Sequence, residues 1–329
     1  MYTFKDKNQK IALIGCGYWG TIIAKTLISL KFKNIFIFDS NIKNSKTLKN
    51  KFNNLKIENN YTKLLKNKKI KNFFLATPPS KNFKIAKKAL LYNKNVFVEK
   101  PGVTKLSDLK TLNLISKKNN NKLMFGYVYC FNDHIKYVKN ILNKKKLGKI
   151  LYLNFQRQNL GPIRNDVNVT YDLSSHDLSI ILNLFKKLPK KISHIKYSIL
   201  KKNVPDISNL HMKLDHIFID INNNWINPIK VRRLTIVGSK KMLLFDEMNL
   251  KEPIKIYNKY AKYPKIHEFK KKFFISKALI YLGKSYSPNL NAKPALDNEI
   301  KYFLYLKKNK ISITGFIFSY KILKFLKSI

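Results

Sequence analysis

Cysteine is scarce in this sequence, with only Cys16 and Cys130 among 329 residues. Two thiols cannot build a disulfide framework, which leaves stability to a packed core and fits a reducing compartment. Long apolar runs are missing too, and no stretch approaches the roughly 20 residues that a membrane-spanning helix needs. Leu13-Ile14-Gly15-Cys16 has the look of a lipoprotein cleavage site. The apolar run before it is only Ile11 to Ile14, too short for a signal-peptide core. A cytoplasmic location is the expectation. Arginine is rare among the bases: Arg157, Arg164, Arg232 and Arg233 are four of 66 Lys and Arg. Acidic residues number 18, so the formal net charge is +48. Such a charge can mark a nucleic-acid or membrane-surface binder. Arg, however, is the preferred reader of base edges and phosphates. The lysines are also spread along the whole chain, and Asn and Ile are abundant with them. The composition therefore reads as the codon drift of an AT-rich genome, with no specific nucleic acid and no membrane expected as partner. A basic surface still suits an anionic small molecule.

Clustered metal ligands are likewise lacking. His134, His194 and His267 have no partners at ligand spacing, and His211 and His216 lie an odd number of residues apart in an alternating pattern. No metal site is expected.

The length suits two domains with cores of their own, and 45% hydrophobic residues is ordinary for a globular protein. Residues 1–126 alternate short apolar runs with amphipathic segments. Lys10–Gly15, Asn34–Asp39, Asn72–Thr77, Asn95–Glu99 and Lys122–Gly126 read as buried strands. Between them lie helical patterns such as Lys81–Tyr92, with a stripe of Phe83, Ile85, Ala86, Ala89 and Leu90. Strand and helix in alternation predict a doubly wound parallel sheet of Rossmann type. In residues 127–329 the pattern changes. Long alternating runs such as His211–Ile221 and Ile229–Val237 predict a mostly antiparallel open sheet in an α+β domain, and Asp297–Ile329 returns to helical spacing. The fold class is thus α/β followed by α+β, without repeats or a low-complexity tether.

Gly15-Cys16-Gly17-Tyr18-Trp19-Gly20 joins the first strand to a helix expected over Thr21–Leu30. Glycines at this spacing, in strand–turn–helix context, have a mechanical reason. Gly15 permits a tight turn, Gly17 leaves room for a pyrophosphate, and Gly20 lets the helix approach the strand. The phosphates would then face free backbone N–H groups at a helix N-terminus. Asp39, nineteen residues past Gly20, ends the second strand, where a carboxylate can bond both ribose hydroxyls and repel a 2′-phosphate. The expected cofactor is NAD.

The loop with Trp19 at its fifth position, then Ala76-Thr77-Pro78-Pro79, then Glu99-Lys100-Pro101, resembles the Gfo/Idh/MocA oxidoreductases. The motifs occur in the family's order, each at the end of a predicted parallel strand, where ligands bind in open sheets. The resemblance implies that Tyr18, Trp19, Thr77, Pro78, Glu99 and Lys100 join the glycines and Asp39 around the cofactor. Alcohol oxidation needs a proton acceptor and a positive group beside the developing alkoxide. Lys100 would bring an ammonium to the nicotinamide end. In Tyr171-Asp172-Leu173-Ser174-Ser175-His176-Asp177, Asp172 and His176 share one face if a helix starts at Asp172. On spacing alone, Asp172 or Ser174 serves equally well as a helix cap and His176 as a structural residue. The resemblance implies a catalytic set instead: His176 as general base, Lys100 polarising the oxygen, and Asp172 bonding a substrate hydroxyl or orienting the lysine.

The segment Arg157 to Asn168, the stretch from Trp225 to Asp246, and Pro294-Ala295-Leu296 with Glu299 resemble the branch found in surface-polysaccharide pathways. That implies a nucleotide-linked sugar, an N-acetylhexosamine or its uronate, oxidised at C3. Arg157 and Arg164 would then suit a diphosphate or carboxylate, with Tyr127 and Asn168 beside them, although either arginine reads equally as part of a structural ion pair. Family members often carry His where this chain has Asn82 and Tyr127. The alternatives are a free cyclitol or monosaccharide dehydrogenase and a non-catalytic dinucleotide-binding protein. A homodimer or tetramer is expected, because an open antiparallel sheet favours face-to-face association.

Overall fold

The computed structural model describes residues 7–161, 163, 167–262, 278–307 and 310–329. Arg164 and His267 lie outside the described residues. The chain divides into two compact units. One runs to Asn132 and resumes over Lys293–Ser328; the other is Asp133–Ala292 with Ile329.

The first unit alternates as its sequence predicts: β1 (Lys10–Ile14), α1 (Tyr18–Ser29), β2 (Asn34–Phe38), α2 (Ile42–Lys51), β3 (Lys56–Ile57), α3 (Tyr61–Lys66), β4 (Ile70–Leu75), α4 (Pro79–Leu91), β5 (Asn95–Glu99), α5 (Leu106–Lys118) and β6 (Leu123–Gly126). All six strands are parallel, in the order β3-β2-β1-β4-β5-β6. Their sequences, such as KIALI in β1 and NVFVE in β5, are apolar on both faces because helices cover both sides. Pro79 opens α4, where its missing N–H has no intrahelical partner to lose. The Asn41 side chain caps α2 by accepting from the Lys43 N–H. The two-residue β3 has too short a pattern to be legible beforehand.

The division differs from one drawn at Gly126. The structure closes the first unit with α8 (Ala295–Tyr305) and α9 (Phe316–Lys327) from the C-terminal segment. An amphipathic helix must bury its apolar stripe, and α8 finds that partner in the parallel sheet. The Phe303 ring lies 5.2 Å from Phe74 and 5.7 Å from Phe97. Burial of one such ring contributes about 1.5–3 kcal/mol. The buried Lys122 beside β6 donates to the Phe303 and Leu304 carbonyls at 3.0 Å each, capping the C-terminal end of α8.

The second unit contains α6 (Asp133–Asn143), β7 (Ile150–Leu160), α7 (Ser175–Phe185), β8 (Lys190–Tyr197), β9 (Ile207–Leu214), β10 (Ile217–Asn224), β11 (Ile226–Gly238), β12 (Met242–Asp246), β13 (Ile254–Lys262) and β14 (Leu279–Tyr286). The sheet order is β14-β13-β12-β11-β7-β10-β9-β8, antiparallel except for the β7–β10 pair. One face is core, with Leu153, Phe155, Leu210, Ile219 and Ile236 almost inaccessible. On the opposite face Tyr152 Oη donates to Asp220 Oδ2 at 2.6 Å, and His211 Nδ1 lies 2.7 Å from Asp220 Oδ1. The alternating run His211–Ile221 proves to be a hairpin and not one strand. Asp215, with φ of 55°, and His216 form its turn, so the two histidines share no strand.

Candidate active site

The strand order fixes where a ligand can sit. From β1 the chain goes outward to β2 and β3, then returns to the other side for β4, β5 and β6. The gap between β1 and β4 is therefore the topological switch point of the sheet. The glycine loop follows β1, the Thr-Pro-Pro turn follows β4 and Glu-Lys-Pro follows β5. Three motifs scattered over 87 residues of sequence thus meet along one carboxyl edge, at three neighbouring strands.

Within the loop each glycine has a distinct environment. Gly15 has φ of 97°, and a Cβ there would lie 2.6 Å from the Ala76 carbonyl oxygen. A Cβ on Gly20 would lie 2.0 Å from the Gly15 oxygen, so α1 presses directly on the loop. Gly17 is the opposite case, with nothing within 4 Å of its hypothetical Cβ. It caps α1 without a side chain, and no acidic residue stands in the first turn to repel an anion. A dinucleotide pyrophosphate fits that cradle. Asp39 braces it: its Oδ2 accepts from the Cys16 N–H and its Oδ1 from the Asn41 N–H, each at 2.8 Å. Burial pushes the Cys16 thiol up to about 11, so it stays protonated at neutral pH. Tyr18 projects outward at 81% exposure.

The other two turns are tied together by Asn82, at the position where family members often carry His. Its Oδ1 accepts from Thr77 Oγ1 at 2.5 Å and its Nδ2 donates to the Gly102 carbonyl at 2.7 Å. A wholly buried amide thus links the loop bearing Pro78 to the one bearing Lys100, a role that spacing alone did not reveal. The Lys100–Pro101 peptide is cis. Glu99 is buried, held up at about 7 by desolvation although the Trp19 indole and Lys100 favour its charge. Tyr127, expected at a substrate, is fully buried with its ring 5.2 Å from Phe318. Burial raises its phenol well beyond the ordinary range.

In the second unit Asp172 does not open a helix. It lies in a π-helical turn, Thr170–Ser174, that runs directly into α7. The helical path begins earlier, where Asn168 Oδ1 accepts from the Tyr171 N–H at 3.0 Å and the Asn168 carbonyl from the Asp172 N–H at 3.1 Å. Capping therefore falls to Asn168, and neither Asp172 nor Ser174 serves as an N-cap. Such wide turns within helices are frequent at functional sites. His176, partly exposed, follows in the first turn of α7, where its carbonyl accepts from Ser179 Oγ at 2.6 Å. Arg157 is 5% exposed, and its Nε and Nη2 donate to Asp177 Oδ1 at 3.0 and 2.8 Å. Two donors of the guanidinium are thus committed to an ion pair inside the unit. Asp177 was legible as an anomaly: a carboxylate at helical spacing from Ile180 and Ile181 on an apolar stripe. Among the described residues no group of three or more His, Cys, Asp or Glu is placed to hold a metal ion, and no helix is long and apolar enough to cross a membrane.

Residues 9–127 match the family model GFO_IDH_MocA, described as an oxidoreductase family with an NAD-binding Rossmann fold. An uncharacterised oxidoreductase of Streptococcus pneumoniae serotype 4 is 24% identical over 149 residues, 45% of this chain and 40% of its own length. The match thus spans under half of that curated relative. UDP-N-acetylglucosamine 3-dehydrogenase GnnA from Acidithiobacillus ferrooxidans superposes with a TM-score of 0.76 at 18% identity, over 98% of this chain and 96% of its own. GenD2 from gentamicin A biosynthesis, solved in complex with NAD, gives 0.76 at 12% identity over 99% and 94%. At these identities the likeness is one of fold. Residues 9–127 thus have the NAD-binding Rossmann fold that this oxidoreductase family model describes.

Proposed function

We propose that the chain moves hydride between a hydroxyl-bearing carbon of a nucleotide-linked sugar and NAD. The observation that carries this reading is the meeting of the glycine loop, Thr-Pro-Pro turn and Glu-Lys-Pro turn on one sheet edge. When bound, NAD supplies the hydride acceptor. Gly15, Gly17 and Gly20 form the pyrophosphate cradle, Asp39 bonds the ribose, and Tyr18, Trp19, Thr77, Pro78 and Glu99 complete the surround. Lys100 polarises the reacting oxygen and His176 takes the hydroxyl proton. Asp172, half-exposed in its wide turn, bonds a neighbouring substrate hydroxyl. The likeness to UDP-N-acetylglucosamine 3-dehydrogenase supports an N-acetylhexosamine or its uronate as the sugar and C3 as the carbon. The net charge of +48 supports an anionic, nucleotide-bearing substrate. Asn168 and Arg164 remain proposed substrate contacts. Tyr127, though buried, and Arg157, though paired with Asp177, belong to the same proposed substrate set. Self-association through the open sheet face belongs to the same reading.

The direct test is NADH formation against a panel of nucleotide sugars, N-acetylated and uronic, beside free inositols. Turnover of inositols alone would replace the sugar nucleotide with a free cyclitol. Absence of turnover across the panel, with NADH still bound, would favour a non-catalytic dinucleotide binder. Asp39→Ala is expected to weaken NAD binding about ten- to hundredfold, the worth of one charge-assisted hydrogen bond. It should also narrow the preference over NADP, because the carboxylate no longer repels a 2′-phosphate. Calorimetric titration of both cofactors checks this, and an unchanged NAD:NADP ratio would remove Asp39 from the ribose.

A further inference from the structure

Two buried carboxyl groups of the first unit, Glu99 at the end of β5 and Glu299 on α8, are used by the proposed hydride chemistry neither as acid nor as base. Glu99 is 7% exposed, and Glu299 on α8 is 0% exposed. Glu99 Oε1 and both oxygens of Glu299 have no hydrogen-bond partner among the described residues. The Glu99 carboxylate is wedged against the backbone of β6: a Cβ on Gly126 would fall 2.9 Å from each of its oxygens. Two such groups within electrostatic reach cannot both keep a charge.

The surroundings decide which one is neutral. Lys100, through its ammonium and its backbone N–H, favours the ionised form of Glu99. So does the indole of Trp19, whose buried N–H has no other hydrogen-bond partner among the described residues. Glu299 has no such help. Burial and the charge on Glu99, the titratable group it faces, both push it well above the usual carboxylate range. A carboxylate and a carboxylic acid in this arrangement satisfy each other, because one accepts what the other donates.

We propose that Glu299 is the protonated member of a proton-sharing pair with Glu99, and that its O–H, donated to the Glu99 carboxylate, makes it a positioning residue for the Glu-Lys-Pro turn. The role assigned to the turn rests on the proposed function; the pairing of the carboxyls does not.

Infrared spectroscopy of the full chain at pH 7 tests the pairing directly. Wild type should show a protonated-carboxyl C=O band that Glu299→Gln lacks, and absence of any Glu299-dependent band overturns the proposal. The pH dependence of unfolding gives a second measure. A carboxyl held protonated only in the folded state lowers the folding constant about tenfold per pH unit above its unfolded value. Wild type should therefore lose stability with rising pH more steeply than Glu299→Gln by that factor, and parallel slopes overturn the pair. For positioning, the Gln amide can donate in place of the acid. Glu299→Gln should hold NADH within about twofold of wild type, while Glu299→Leu, which cannot donate, should weaken it about tenfold. Equal affinities in the two variants overturn the positioning role. If Glu299→Leu does not fold, the Gln variant alone still decides the pair. If wild type binds no NADH, the proposed function fails while the infrared band and the slopes still decide the carboxyls.

Discussion

Replacing His176 with Ala should lower turnover by about 10² to 10⁴ while NADH binds as before. That range corresponds to roughly 3–5 kcal/mol of lost transition-state stabilisation. A general base acts only as the hydroxyl proton leaves, so its loss appears in kcat and not in cofactor affinity. The proposed cradle is made of the glycine loop and Asp39, so truncation of the imidazole removes none of its groups. His176→Gln provides the steric control, since it keeps bulk and polarity but cannot cycle a proton near neutral pH. Steady-state rates with the accepted sugar, alongside fluorescence titration of NADH, measure both quantities. Turnover within threefold of wild type would place the base elsewhere.

Asp177→Ala should destabilise the second unit by about 3–5 kcal/mol, because it strands the Arg157 guanidinium in the interior. Asp177 Oδ1 receives both Arg157 bonds, and Oδ2 lies 3.3 Å from Asn223 Nδ2. Asn223 in turn accepts from Ser174, so the network joins β7, β10 and the wide turn carrying Asp172. Removing both charges with Arg157→Met and Asp177→Leu should recover most of the loss, since apolar replacement of a buried pair is often neutral. The two tryptophans report on different units, Trp19 on the first and the buried Trp225 on the second. Urea titration followed by Trp225 fluorescence in a Trp19→Phe background therefore isolates the transition of interest. A shift below 1 kcal/mol for Asp177→Ala would mean that water reaches the guanidinium.

What was legible in the sequence was local. The parallel sheet, the glycine turn and the end of β5 each depend on apolar periods and turn residues within about ten positions, and β5 is observed over Asn95–Glu99 as its pattern predicts. The second sheet was legible as a class because its strands alternate, but the reversal at Asp215 was not, since polar turn residues continue the alternation. The wide turn at Asp172 was illegible for a different reason. An extra residue in a helical turn leaves the apolar spacing of Leu178 and Ile181 intact. Arg157 stayed ambiguous because a guanidinium suits a phosphate and a carboxylate equally, and only the packing of α7 on β7 brings Asp177 to it. Glu299 was visible as a residue, but its partner lies 200 positions away. No pattern within either segment announces a carboxyl pair.

The return of α8 to the first unit imposes a timetable on the newborn chain. Lys122 waits for carbonyls that lie 181 and 182 residues downstream. At typical translation rates of 5–20 residues per second, that wait lasts roughly 10–40 s. Over this interval the ring faces of Phe74 and Phe97 that later meet Phe303 stand uncovered, a surface that a chaperone or a neighbouring nascent chain could engage. Residues 133–292 of the second unit, contiguous in sequence, leave the ribosome before the first unit can close. The unit bearing the dinucleotide motifs is therefore begun before the second unit and finished after it.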